Sequence, residues 1–218
     1  NGWSRFTWEF LSAQPRQGMT EGGIFPAIFG TVLLVLLMTV FVVPLGVFVA
    51  IYFSEYANRT SLLYRWSRSA VDNLAGVPSI VFGLFGLGFF VQCVGRGMDV
   101  VLFGGHLTFG QPAILWAALT MAVLTLPVVI VSVEEALRAV PQAYREASYA
   151  LGATKSQTVF RVVLPDALSG VLTGGILALS RGAGEVAPIL FVGAAYFLPY
   201  LPHKLSVQIG RASCRERV

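Results

Sequence analysis

The sequence predicts an all-α, polytopic transmembrane helical bundle, and three observations predict it. Hydrophobic residues make up 56% of the 218 residues and charged ones only 12%, with a mean hydropathy of +0.73. That balance is too apolar for a water-soluble domain of this length. Long uncharged runs alternate with short charged segments, and a helix needs ~20 apolar residues to cross ~30 Å of hydrocarbon. The runs also lack the apolar–polar alternation of barrel strands, which leaves helices to satisfy the backbone in lipid.

Four spans are expected, near residues 24–53, 73–95, 112–133 and 167–190. The first lies in the uncharged run from Gly22 to Ser54 and reads as one helix with overhang. Pro44 in this span and Pro127 in the third are expected to kink their helices, with neighbouring helices absorbing the lost hydrogen bonds. The second span opens Leu74-Ala75-Gly76-Val77-Pro78-Ser79 and continues through Gly83, Gly86 and Gly88, a small-residue content that suits close helix packing. The fourth is apolar except for Arg181 and Glu185. Before the first span, Trp3, Phe6, Trp8 and Phe10 mark a polar, aromatic-rich stretch suited to the headgroup region. Gly104-Gly105 and Gly110-Gln111-Pro112 mark a turn-rich loop between the second and third spans. One domain, 1–208, accounts for all of this.

Basic residues orient the spans. Arg59, Arg65 and Arg68 follow the first, and Arg138, Arg145, Lys155 and Arg161 follow the third, against Arg5, Arg16, Arg96 and Lys204 on the other side. The richer side is expected in the cytoplasm, with both chain ends outside. Asn1 in place of Met points to a missing natural start. Residues 209–218, Ile-Gly-Arg-Ala-Ser-Cys-Arg-Glu-Arg-Val, resemble a translated sequencing adapter and are read as a non-native tail. Without that tail Cys93 stands alone in a span, implying neither disulfide nor metal, and the loop arginines account for the basic pI without any nucleic-acid partner.

The charged segment 134–165 reads as two short helices. Pro141 suits a first-turn position, the stretch from Gln142 to Leu151 contains good helix formers, and Gly152 supplies a left-handed stop. Thr154 with Gln157 fits a capping box for a second helix, expected to end before Pro165. Ala143, Ala147 and Ala150 share one face of the first helix, flat enough to enter a groove on a partner. Periodicity alone favours an interfacial amphipathic loop with no partner.

Glu146-Ala147-Ser148, then Gly152, then Val162 and Leu164-Pro165 resemble the cytoplasmic "EAA" loop of ABC-importer permeases, with Ser148 and Val162 as mild departures. Further stretches are similar to the phosphate-specific, PstA-type permeases. These are Gly30-Thr31, Pro44 to Val47, Glu55-Tyr56-Ala57, Leu74 to Val81, Leu126 to Ile130, Glu134 to Pro141, Leu151 to Lys155 and Gly184 to Pro188. The resemblance covers roughly residues 20–200. It implies a type I ABC importer (MetI-like) permease fold, of which the chain would hold about four of six spans. It also implies an ATPase-coupling role for Ala143, Glu146, Ala147, Ser148, Gly152, Ala153, Leu164 and Pro165. The partners implied are a PstB-like ATP-binding dimer, a PstC-like second permease, a PstS-like phosphate-binding protein and the lipid of a bacterial inner membrane.

Arg181 and Glu185, at i and i+4, are the other candidate site. Ionisable residues within a span are costly and normally face protein or water. They are spaced to lie close to a stripe of Gly170, Gly174, Ala178 and Gly182. Two roles fit: an ion pair that locks helices, or a guanidinium in a translocation pathway, whose planar fork matches phosphate oxygens. Gly152-Ala153-Thr154-Lys155-Ser156 fails as a phosphate loop because Thr154 precedes the lysine and Tyr149 occupies the earlier glycine position. His106 and His203 lack ligand spacing, and no catalytic constellation, metal site or cofactor motif is found. The expectation is a non-enzymatic phosphate permease subunit driven by a separate ATPase. Alternatives are a permease of the same fold for molybdate, sulfate or phosphonate, the sister PstC-type subunit, an ATP-independent secondary transporter, or an assembly protein.

Overall fold

The computed structural model describes residues 25–103 and 109–192. The expectations for residues 1–21, Gly104-Gly105, His106, His203, Lys204 and the 209–218 tail lie outside the described residues. Those described are overwhelmingly helical. α1 is Phe25–Ile51, prolonged by a wide turn through Tyr52–Tyr56. α2 is Leu62–Ala75. α3 runs over 79–103 as Ser79–Gly86, a widened stretch Leu87–Gly95, and Arg96–Phe103. α4 is Ile114–Ala139 and α5 Gln142–Ala150. α6 is Lys155–Asp166, α7 Leu168–Gly184 and α8 Ala187–Val192. α1 and α4 continue through Pro44 and Pro127.

Among the described residues, three helices, Ile28–Tyr56, Ser79–Val101 and Ile114–Ala139, are long and apolar enough to cross a membrane. α6 and α7 make a fourth candidate only as a pair bent by 65°. By itself α7, at 17 residues, rises ~26 Å, short of ~30 Å of hydrocarbon. On α1, Ile28, Val32, Leu36, Val40, Leu45 and Phe48 are exposed large apolar side chains. That surface is suited to lipid and would be unfavourable in water.

Five details differ from the sequence expectations. The segment after the first span is the helix α2 rather than a loop, and the second apolar helix begins at Ser79 rather than near residue 73. Gly76 closes α2 through its N–H to Asn73 O, and Pro78 disfavours helical backbone at Val77. Pro141 precedes the first turn of α5 with an extended ψ of 136°. α6 does not end before Pro165 but runs to Asp166. A wide turn over Val159–Val163, in which the Leu164 N–H donates to Val159 O, places Pro165 at the start of a fresh helical register. The fourth apolar stretch is interrupted at Glu185-Val186, between α7 and α8.

The chain separates into two compact units, Asn1–Leu37 with Ser79–Met121 and Glu185–Val218, and Met38–Pro78 with Ala122–Gly184. In the first, α3 packs against α8, and Gly86 admits both Thr120 and Val192 where a Cβ would meet their side chains at 2.2 and 2.9 Å. Phe90 stacks on Trp116, ring centroids 6.1 Å apart. Asp99, 1% exposed, accepts from the N–H groups of Phe109 (2.7 Å) and Gly110 (2.6 Å). The Trp116 indole donates to Phe109 O at 2.7 Å. These bonds tie the start of α4 to α3.

In the second unit, Met38, Val42, Val129, Ile130, Val133 and Leu137 form a fully buried core. The small residues of α7 let it approach α4 closely: a Cβ on Gly170 would lie 2.1 Å from Ala136 Cβ, and one on Gly174 would lie 3.1 Å from Ser132 Cβ.

Candidate functional site

α5 is a short amphipathic helix whose two faces do different things. Arg145 and Ser148 are its buried residues, while Ala143, Glu146, Ala147 and Ala150 are exposed. The alanines lie on the face opposite the two anchors, as their spacing predicts, and Tyr144 and Tyr149 flank them at 52% and 42% exposure.

Arg145 is the principal anchor. It donates to Val140 O at 2.7 Å and to Leu137 O at 2.8 Å, and pairs with Glu55 at 2.9 Å. The two carbonyls belong to the C-terminal end of α4, where backbone acceptors have run out of intrahelical donors, and a cation there also suits the helix dipole. Glu55 lies at the end of α1, so one guanidinium joins α5 to the ends of two long helices. Ser148 is the second anchor. Its hydroxyl lies 2.9 Å from that of Thr158 on α6, which also donates to Thr154 O. The serine that departs from the family pattern therefore holds the two short helices together.

The corner between α5 and α6 is closed by backbone geometry. Gly152 has φ +81°, its N–H donates to Tyr149 O, and the Ala153 N–H reaches back to Ser148 O. This is the paired-bond helix stop that uses a left-handed glycine. Thr154 and Gln157 form the expected reciprocal capping box. Lys155 sits over the Tyr56 ring at 5.2 Å, tying the start of α6 to the end of α1. Leu151, 89% exposed, projects from the corner, while Leu164 is half-buried and Pro165 exposed.

A second electrostatic node braces the same region. Glu134, 2% exposed, is held by both Arg68 of α2 and Arg138 one turn further along α4. Arg68 also pairs with Asp72 at 3.3 Å. Burial works against the Arg68 charge, but the hydrogen bond and charge of Glu134 outweigh it and raise its pKa above the ordinary arginine value.

Of the residues expected on α5, Ala143, Glu146 and Ala147 are exposed and Ser148 is buried, while the anchoring residues Arg145, Glu55 and Thr158 were not among the expected site residues. The only local signal was an arginine beside Glu146; its burial depends on which way α5 rolls against α4, a tertiary choice.

The Arg181 region is built differently. Gly174, Ala178 and Gly182 are buried along one line of α7, whereas Arg181 in its last turn is exposed. Glu185 is half-buried and lies one residue beyond the helix. The expected placement of both charges close to the packed stripe is thus only partly met, because the buried line passes beside Arg181 rather than through it.

The chain is 38% identical over 190 residues to the phosphate transport system permease protein PstA 1 of Mycobacterium tuberculosis (strain CDC 1551 / Oshkosh), covering 87% of this chain and 56% of that one. It is 34% identical over 191 residues to the probable ABC transporter permease protein YqgI of Bacillus subtilis (strain 168), covering 88% and 60%. The chain thus spans between half and two thirds of the length of these relatives. A solved chain of the inward-facing MetNI methionine ABC transporter superposes with a TM-score of 0.54 at 24% identity, over 74% of this chain and 68% of that one, and shows a shared fold. The model of binding-protein-dependent transport system inner membrane components matches residues 42–201, which include the last part of α1, all of α4, α5 and its glycine stop. The chain therefore belongs to that family of multi-pass ABC-importer permeases.

Proposed function

We propose that this chain is part of the permease subunit of an ATP-driven phosphate importer in a bacterial cytoplasmic membrane. In this reading α5 is the coupling helix: Ala143, Glu146, Ala147 and Ala150 enter a cleft on a PstB-like ATP-binding dimer. Arg145 and Ser148 carry the displacement into α1, α4 and α6. A PstC-like permease completes the pathway and a PstS-like protein delivers phosphate from outside. The observation that carries this reading is the division of α5 into an exposed small-residue face and a face fastened to two long helices. The arrangement is suited to passing an external push into membrane-spanning elements. The phosphate assignment draws on likeness to PstA-named relatives, and the guanidinium of Arg181 supports it chemically: it is exposed, and its fork matches two phosphate oxygens.

The test uses the full-length permease assembled with its partners in proteoliposomes. Gly152→Val places a β-branched residue at φ +81°, a conformation costing about 1–2 kcal/mol. The altered corner should leave assembly intact and ATP hydrolysis measurable while phosphate uptake per ATP falls at least several-fold. Unchanged coupling with normal assembly would overturn the role of α5. Replacing phosphate by sulfate or molybdate, with the cognate binding protein present, should abolish stimulated hydrolysis; equal stimulation would overturn the substrate assignment.

A further inference from the structure

The α2 helix has an attached face and a bare one. On the attached face, Tyr64 meets Phe53 edge-on with ring centroids 5.6 Å apart, and Arg68 holds Glu134. Phe53 is in the last turns of α1 and Glu134 in the last turns of α4, so α2 crosses the ends of two membrane-long helices. Both ends stand where apolar sequence gives way to charge: Glu55 follows Phe53, and Glu135 and Arg138 follow Glu134. On the opposite face Leu62, Leu63 and Trp66 are 69%, 65% and 75% exposed. Exposed Arg59 and Arg65 flank them.

The connections confine this helix. Residues 57–61 join it to α1 and residues 76–78 to α3, and an extended chain reaches at most ~3.5 Å per residue. Helices long enough to span the bilayer stand on both sides of α2 in the chain, so it is held at the boundary between lipid and water. A tryptophan and leucines on the bare face, with arginines beside them, are the composition that settles into a headgroup layer. The rings and aliphatic groups take the acyl edge, and the guanidinium groups reach the phosphates.

We propose that α2 is a lateral membrane anchor, with Leu62, Leu63 and Trp66 seated at the acyl boundary and Arg59 and Arg65 bound to anionic lipid phosphates. The leaflet follows from the orientation proposed above, whereas the lipid contact is independent of it. The anchor gives the Glu134 node a fixed reference in the plane of the membrane, because Arg68 belongs to the same helix.

Nitroxide labels test this in the full-length, assembled transporter in nanodiscs of phosphatidylcholine with or without phosphatidylglycerol. Labels are introduced singly as Leu62→Cys, Leu63→Cys, Trp66→Cys, Arg65→Cys and Asp72→Cys in a Cys93→Ala background with any other native cysteine removed. Labels at 62, 63 and 66 should collide several-fold more with oxygen, relative to a water-soluble nickel chelate, than labels at 65 and 72. As a check without labels, lipids brominated near the headgroup should quench tryptophan fluorescence more in the native protein than in Trp66→Phe. Adding phosphatidylglycerol should deepen position 66, and Arg59→Gln/Arg65→Gln should abolish that response. Equal nickel accessibility around the helix would mean the bare face meets water. Shielding of 62, 63 and 66 from both probes would mean it meets another protein. Either result overturns the proposal.

Discussion

Replacing Arg145 with Met keeps the apolar stem and removes the guanidinium that fastens α5. The lost contacts are the 2.9 Å ion pair to Glu55 and the bonds to Leu137 O and Val140 O at 2.8 and 2.7 Å. Both charged side chains are nearly enclosed, with 11% of Arg145 and 10% of Glu55 exposed. Breaking one partner of such a pair costs about 3–5 kcal/mol, because the remaining charge stays in a poorly solvated place. The two carbonyl bonds, worth about 1.5–3 kcal/mol each as bonds to a charged donor, are lost in the same event. They overlap with the pair energy rather than adding to it. The expected loss for Arg145→Met is therefore about 3–5 kcal/mol, read by reversible unfolding of the full-length permease in mixed micelles. Glu55→Gln keeps an acceptor oxygen near the guanidinium and should cost less. In the double variant no uncompensated carboxylate remains, so the combined loss should fall short of the sum by about 1–3 kcal/mol. A loss below about 1 kcal/mol for Arg145→Met would refute the assignment of the guanidinium as the fastening group. So would additivity of the two substitutions within about 0.5 kcal/mol.

Gly170→Leu should destabilise the protein by about 1–3 kcal/mol through overpacking, since even a Cβ there lies 2.1 Å from Ala136 Cβ; Ala136→Gly should restore part of the loss in thermal unfolding. Asp99→Ala removes the acceptor for two backbone N–H groups and should cost about 1–3 kcal/mol, with faster hydrogen exchange at Phe109 and Gly110. Arg68 has a raised pKa, so the stability it contributes is fully present below the unfolded arginine value and lost only as pH rises through the folded one. Thermal unfolding of wild type and Arg68→Met should therefore differ by the same amount from mildly acidic to mildly alkaline pH. Arg181→Lys keeps the charge and loses the bidentate fork; in an intact complex it should lower the rate of phosphate uptake several-fold, and unchanged uptake would remove Arg181 from the pathway.

The all-helical fold, the three long apolar helices and the α5–glycine–α6 corner are legible in the sequence because each depends on local chemistry. Uncharged length, a left-handed glycine and a Thr–Gln capping box act within a few residues, whatever surrounds them. The amphipathic helix α2 was harder to read: Arg59, Arg65 and Arg68 marked its segment as a loop, and Leu74-Ala75 merged with the next apolar run. The course of α6 through Pro165 rests on a wide turn that a proline rule applied to a regular helix does not anticipate. What only the tertiary structure decided is the assignment of partners. Glu55 and Arg145 lie far apart in the chain, as do Arg68 and Glu134, and nothing in the local spacing couples either pair. They meet where α1 and α4 pack closely, a Cβ on Gly46 lying 2.6 Å from Val129 Cγ1, so that helix ends come together and enclose charges that must then be matched. Sequence sets where a helix can form and stop; the burial of its ends determines which charges must pair.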